Sequence, residues 1–94
     1  MYFLTALSID SNSFIHKASL GYFPKKSEAF AVIMNEPKLL HQDQYEYLVV
    51  EKIEQGIFTQ SDEEDWFLYD EKNKVWNPTS KPTFLEPQCN FSIG

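Results

Sequence analysis

The sequence predicts an α+β fold: an antiparallel sheet of about four to five strands with one principal helix packed on one face. Three observations lead there. Runs rich in β-branched and aromatic residues recur at 2–9, 14–23, 44–53, 64–70 and 75–77. Between the second and third of these lies PKKSEAFAVIMNEP, where Ala29, Phe30, Ile33 and Met34 fall on one stripe of a 3.6-residue repeat. The resulting order of strand, strand, helix, strand, strand, strand suits a helix laid on one side of an antiparallel sheet.

YFLTALSI at 2–9 is followed by DSNS, whose short polar side chains bond back to the local backbone and favour a turn. FIHKASLGYF at 14–23 then returns, so the first two strands form a hairpin, with Gly21 marking a bend or a close approach to the helix. The helix is expected over about 25–35: Pro24 suits its start and Glu36-Pro37 its stop. Leu39 and Leu40 follow in a turn or a second helical piece. QYEYLVVEKI at 44–53 is the clearest strand, ended by Gln55-Gly56. EDWFLYD at 64–70 and VWN at 75–77 form a second hairpin through DEKNK, with Asn73 in the left-handed conformation that closes such loops. From Pro78 on, Pro82 and Pro87 interrupt regular structure, which makes 78–94 an irregular wrapping segment with a short edge piece in QCNFSIG.

The totals bound the function. Ninety-four residues, 43% of them apolar and 16% aromatic, suit a single domain over 1–94 with its own core. A lone Cys89 cannot form an internal disulfide, and MYFLTALSID has neither a basic region nor a small-residue cleavage site, so the expected compartment is the cytoplasm. No apolar run approaches the roughly 20 residues that span a bilayer. Positions 36–71 hold eleven acids against Lys38 and Lys52, a local charge of −9 within a total of −6. All basic residues are lysine, and without the bidentate fork of arginine direct nucleic-acid binding is not expected.

The stretch SDEEDWFLYDEKNKVW raises the functional question. If Tyr69 pairs with Val75, then Leu68 faces Trp76, and Trp66, Leu68 and Trp76 share one face while Phe67, Tyr69 and Val75 share the other. Both faces are then apolar, and a single helix covers only one. The second aromatic set must lie under the proline-containing tail, in a contact between copies, or against a partner. The acids Asp62, Glu63, Glu64 and Asp65 read either as charges that keep a sticky strand soluble or as the charged rim of an aromatic contact surface. They lack the alternating ligands, glycine and distal glutamate of a calcium loop.

No catalytic signature appears. His16, His41 and Cys89 have no metal-ligand spacing, the three glycines stand far apart, and no nucleophile elbow occurs. Glu51 and Glu54 form a carboxylate pair with nothing to mark an acid–base role. No cofactor and no metal are expected. GYF, a helix, YEYLVVEKIEQGIF, WFLYD and a tail ending in NFSIG together resemble small bacterial and phage-associated α+β proteins of this length. That resemblance implies the fold and a bacterial or mobile-element origin, with no active-site residue. The expected function is therefore a non-enzymatic protein-interaction module, engaging a protein partner or a second copy through Trp66, Leu68, Trp76 and the acids 62–65. One alternative is an acidic mimic of nucleic acid that inhibits a nuclease or DNA-binding protein; the other is a small enzyme with a histidine base.

Overall fold

The computed structural model describes residues 1–12, 14–42, 44–53 and 61–82. They form five antiparallel strands, β1 (Tyr2–Ile9), β2 (Ile15–Phe23), β3 (Tyr47–Ile53), β4 (Ser61–Asp70) and β5 (Val75–Thr79), in the spatial order β2-β1-β3-β4-β5. Two helices, α1 (Lys26–Asn35) and the single turn α2 (Pro37–Leu40), connect β2 to β3. The expected α+β architecture with one main helix is the one observed. The strand end at Gln55-Gly56, Glu54, and the tail segment holding Pro87, Cys89 and QCNFSIG lie outside the described residues.

Period-two alternation sorts the strands into two faces. Leu4 and Ala6, Leu48 and Val50, Phe67, and Trp76 turn toward the helices and close around Ala29, Ile33 and Leu40. Leu7, Val49 and Trp66 form a second cluster on the opposite side, with Ile9, Ile15 and Tyr47 packed against it. Leu48, Val49 and Val50 in succession are all buried, so β3 is enclosed on both faces, each such side chain contributing about 2 kcal/mol by leaving water. On the helix side, Phe30 meets Phe67 edge to face at 5.5 Å, and the Trp76 indole N–H donates to the Pro37 carbonyl at 3.1 Å, tying α2 to the last strand.

Several expectations are corrected. The second hairpin pairs Tyr69 with Trp76 and Asp70 with Val75, one residue away from the register expected from the sequence. The reason lies in the loop: it is four residues, 71–74, closed by the Lys74 N–H on the Asp70 carbonyl at 2.7 Å, and Lys74 rather than Asn73 takes the left-handed conformation at φ 59°. Asp70 stays in the strand because its carboxylate accepts the N–H groups of Lys72 and Asn73 and the Asn73 side-chain amide. A one-residue slip moves every side chain to the other face. Trp76 accordingly joins Phe67 and Tyr69 under the helices, while Trp66 and Leu68 face away.

β4 also starts at Ser61, three residues before the expected start, so Asp62 and Glu63 lie within the strand together with Glu64 and Asp65. β5 continues through Pro78 to Thr79, two residues into the stretch expected to be irregular. Of the predicted helical stripe, Ala29 and Ile33 are buried and Phe30 half-buried, but Met34 is 80% exposed. The buried line of the helix layer runs through Ala29, Ile33 and Leu40, which turns Met34 outward. Gly21 sits beside a bulge in β2, and a Cβ there would meet only the Phe23 ring at 3.7 Å, an ordinary contact, so the bend and not close packing is what its strand needs.

The first hairpin uses the same carboxylate device. Asp10 accepts the N–H groups of Asn12 and Phe14, and His16 Nε2 lies 3.0 Å from its other oxygen. The hydrogen bond to His16, then that from Phe14, holds the Asp10 carboxyl below its ordinary value of 3.8, and the Asn73 hydrogen bonds do the same for Asp70. Carboxyls depressed in the folded state contribute stability that is present above their unfolded pKa and lost as pH falls through the folded one. Thermal melting at a series of pH values should therefore show Tm falling below about pH 4. Asp70→Ala should melt lower than the parent at neutral pH and show a shallower acid loss; an identical acid limb in parent and variant would contradict the assignment.

Candidate functional site

The acidic run is built into the sheet and is matched by lysines from distant positions. Alternation puts Glu63 and Asp65 on the helix side and Glu64 on the other. Lys26, at the first turn of α1, reaches Glu63 at 2.8 Å and Asp65 at 3.1 Å. Glu64 accepts the Trp66 indole N–H at 3.0 Å and lies 3.4 Å from Lys81 Nζ. Of Asp62 only the position in β4 is described. The Lys26 hydrogen bonds hold the Glu63 carboxyl below its usual range, and Glu63 followed by Asp65 raises the Lys26 ammonium. Three of the four acids therefore form ion pairs within the fold. Glu64 also stands directly across from Glu51, which is fully buried in β3.

The expected aromatic site is divided by the observed register. Trp66 is 4% exposed and packs with Leu7 and Val49 on one face; Trp76 is 7% exposed and packs under the helices on the other. Leu68, at 40%, is the one member of the trio open to water. The histidines are placed elsewhere. His16 belongs to the first hairpin, and His41 stacks on Tyr69 with ring centroids 3.6 Å apart and meets Trp76 edge-on. Among the described residues no cluster of three His, Cys, Asp or Glu side chains could hold a metal ion.

What the fold does build is a groove of about 790 Å³ between α1 and the β4–β5 hairpin. Phe30, Ile33 and Met34 form its helical wall, and Phe67, Trp76 and Pro78 its floor and far side. Glu64, Asp65 and Lys81 stand at its margin, and Trp66 borders it. Four of the seven residues expected at the site thus come together here, Glu64, Asp65, Trp66 and Trp76, while Leu68 and Glu63 do not. Phe30, Met34 and Pro78 were not singled out as site residues from sequence. Met34 carried the one available signal, as a fourth apolar residue on a stripe that ten helical residues needed only in part.

The outer edge of β5 is poorly suited to strand addition. Tyr69 donates its N–H to the Glu46 carbonyl of the chain entering β3, so alternation aims the odd residues of β4 at β3 and the even ones at β5. The backbone N–H and C=O groups of their partners Val75, Asn77 and Thr79 point at β4, which leaves the backbone groups of Trp76 and Pro78 on the outer edge. Pro78 has no N–H to offer there, so its position costs the sheet no hydrogen bond and denies one to any strand added beside it.

Comparison with protein-family models, with curated proteins and with solved structures found no match to this chain.

The Lys26 pairing has a direct test. In Lys26→Met, side-chain NMR titration should show the Glu63 pKa rising from its depressed position toward the ordinary glutamate value. An unchanged Glu63 titration would show that the acidic strand is not neutralised by α1.

Proposed function

We propose that this chain is a non-enzymatic protein-interaction module whose docking site is the groove between α1 and the β4–β5 hairpin. The observation that carries the reading is an apolar hollow left open beside a methionine that is 80% exposed. Leu39, 56% exposed on α2, extends the apolar surface of the helix layer. Sites that bind apolar groups combine such a lining with a few polar atoms at the margin, and this volume falls within the usual range of about 300–1,000 Å³. The partner presents apolar side chains, because Pro78 disfavours strand addition and the marginal acids already hold lysines.

The acidic-mimic reading draws on the −9 segment of the sequence. It is the weaker one, since a mimic needs a field that reaches outward, and Lys26 and Lys81 cancel much of it at β4. The histidine-base reading draws no support from side chains held in a hairpin and in an aromatic stack outside the groove.

The probe for this reading is 8-anilino-1-naphthalenesulfonate, a fluorophore that brightens in apolar sites. The folded protein should bind it saturably, and Met34→Glu should weaken binding about tenfold, because one wall of the hollow then carries a charge. The melting temperature should change little, Met34 being exposed. No saturable binding, or binding indifferent to Met34→Glu, would remove the groove from consideration.

A further inference from the structure

The two edges of the sheet are not alike. β5 carries Pro78, whereas β2, at the opposite edge, has nine residues, no proline and a single lysine, Lys17. Among the described residues no strand lies beyond β2. Such an edge presents a row of backbone groups to an added strand. Exposed aromatic side chains stand near its two ends: Phe14, just before the strand, at 66% and Tyr22 at 65%.

Hydrogen bonds at the two ends of β1 fix which backbone groups of β2 point outward. The Asp10 N–H donates to the Phe14 carbonyl, so alternation aims residues 14, 16 and 18 at β1, and Ile15, Lys17 and Ser19 away from it. Beyond the bulge the parity changes. The Ile53 N–H donates to the Met1 carbonyl, so Met1 and Phe3 aim at β3, and Tyr22, the partner of Phe3, aims away from β1. The outward set is therefore 15, 17, 19 and 22. All four side chains share the face opposite the helices, as partners of Ile9, Leu7, Thr5 and Phe3.

We propose that a second copy of this chain pairs along β2, antiparallel about a two-fold axis through Ala18, so that two sheets join into one of ten strands. The set of outward residues is complementary to itself about that axis. With the bulge counted as β1 counts it, Ile15 lies across from the second copy's Tyr22, and Lys17 across from its Ser19. Apolar ends meet apolar ends, and no like charges oppose each other. Ala18 faces its own copy in the closely spaced, non-hydrogen-bonded kind of pair, where a small side chain leaves room. An axis through Lys17 would instead set two lysines against each other. The interface is isologous, as a closed dimer requires.

Charge favours the same edge. Positions 1–35 hold Lys17, Lys25 and Lys26 against Asp10 and Glu28, a sum of +1, and the acidic strand β4 lies three strands away from β2. With three spacings in each copy and one between them, the two β4 strands of the joined sheet are roughly 34 Å apart. That is several times the Debye length of about 8 Å at physiological salt, so the charge of −6 on each chain opposes this pairing little. The groove beside α1 stays open in both copies, and the inference does not rest on it.

Sedimentation velocity over micromolar to submillimolar protein at physiological salt tests it. The parent chain should show a reversible monomer–dimer equilibrium, with amide hydrogen exchange at Ile15 and Tyr22 slowing as the dimer forms. Ser19→Glu sets a carboxylate across from each Lys17 and should tighten the dimer about fivefold; Ser19→Lys should weaken it by a similar factor. Both variants should keep the parent's circular dichroism spectrum, Ser19 being exposed. A parent chain that stays monomeric over the whole range would overturn the proposal. So would a dimer whose affinity moves in the same direction, or not at all, in the two variants, or one in which the Ile15 and Tyr22 amides exchange as they do in the monomer. Fluorophore binding in the groove is measured on the monomer, so either reading can fail without the other.

Discussion

The structure depends on a limit of coverage: among the described residues, one ten-residue helix and one further helical turn lie over a five-stranded sheet. Ten residues of α1 make a rod about 15 Å long and 10 Å wide, whereas five strands span about 19 Å across, with strands about 25 Å long. The helix therefore protects only part of one face. α2 adds one turn, fixed by the Trp76–Pro37 hydrogen bond and by Leu40 in the core. Between these two pieces and the last hairpin the apolar surface of β4 and β5 is left as a groove. On the other face Leu7, Val49 and Trp66 are nonetheless buried, without any part played by α1 or α2. On that face Leu68 is the member of β4 left open to water, at 40% exposure.

Charge follows the same geometry. Aspartate and glutamate are poor strand formers, and four in succession would ordinarily argue against a strand. Here alternation divides Glu63, Glu64 and Asp65 between two faces, each with its own lysine: Lys26 from the helix for Glu63 and Asp65, Lys81 from beyond β5 for Glu64. Exposed pairs of this kind add little stability individually. Their main consequence is to draw the helix N-terminus toward β4 and to mute the field of the acidic segment, which favours apolar contact over electrostatic steering as the way this surface would recognise anything.

The fold was legible because its strands are rich in β-branched and aromatic residues and its main helix carries apolar residues at helical spacing. Register was not. DEKNK reads equally as a loop of four or five residues until Asp70 is seen to hold the loop from within the strand, and that single residue decides whether Trp76 joins Trp66 or opposes it. The reach of β4 back to Ser61 was hidden because the lysines that make it tolerable lie 37 and 17 positions from the acids they meet, at Lys26 and Lys81. Phe30, Ile33 and Met34 could be placed on one stripe, yet four apolar residues in a helix do not reveal which of them points inward. The groove joins residues from positions 30 to 81, and no local pattern announces it.

The most direct test of the coverage limit is solvent paramagnetic relaxation of methyl signals, measured with a soluble gadolinium chelate at concentrations where the molecule is a monomer. Strong broadening of the Met34 methyl is expected beside an Ile33 signal that is almost untouched, since Met34 stands 80% exposed on the groove wall and Ile33 is buried at its foot. Equal protection of both methyls would mean that α1 is covered on its outer side as well, and the open groove would no longer describe this protein.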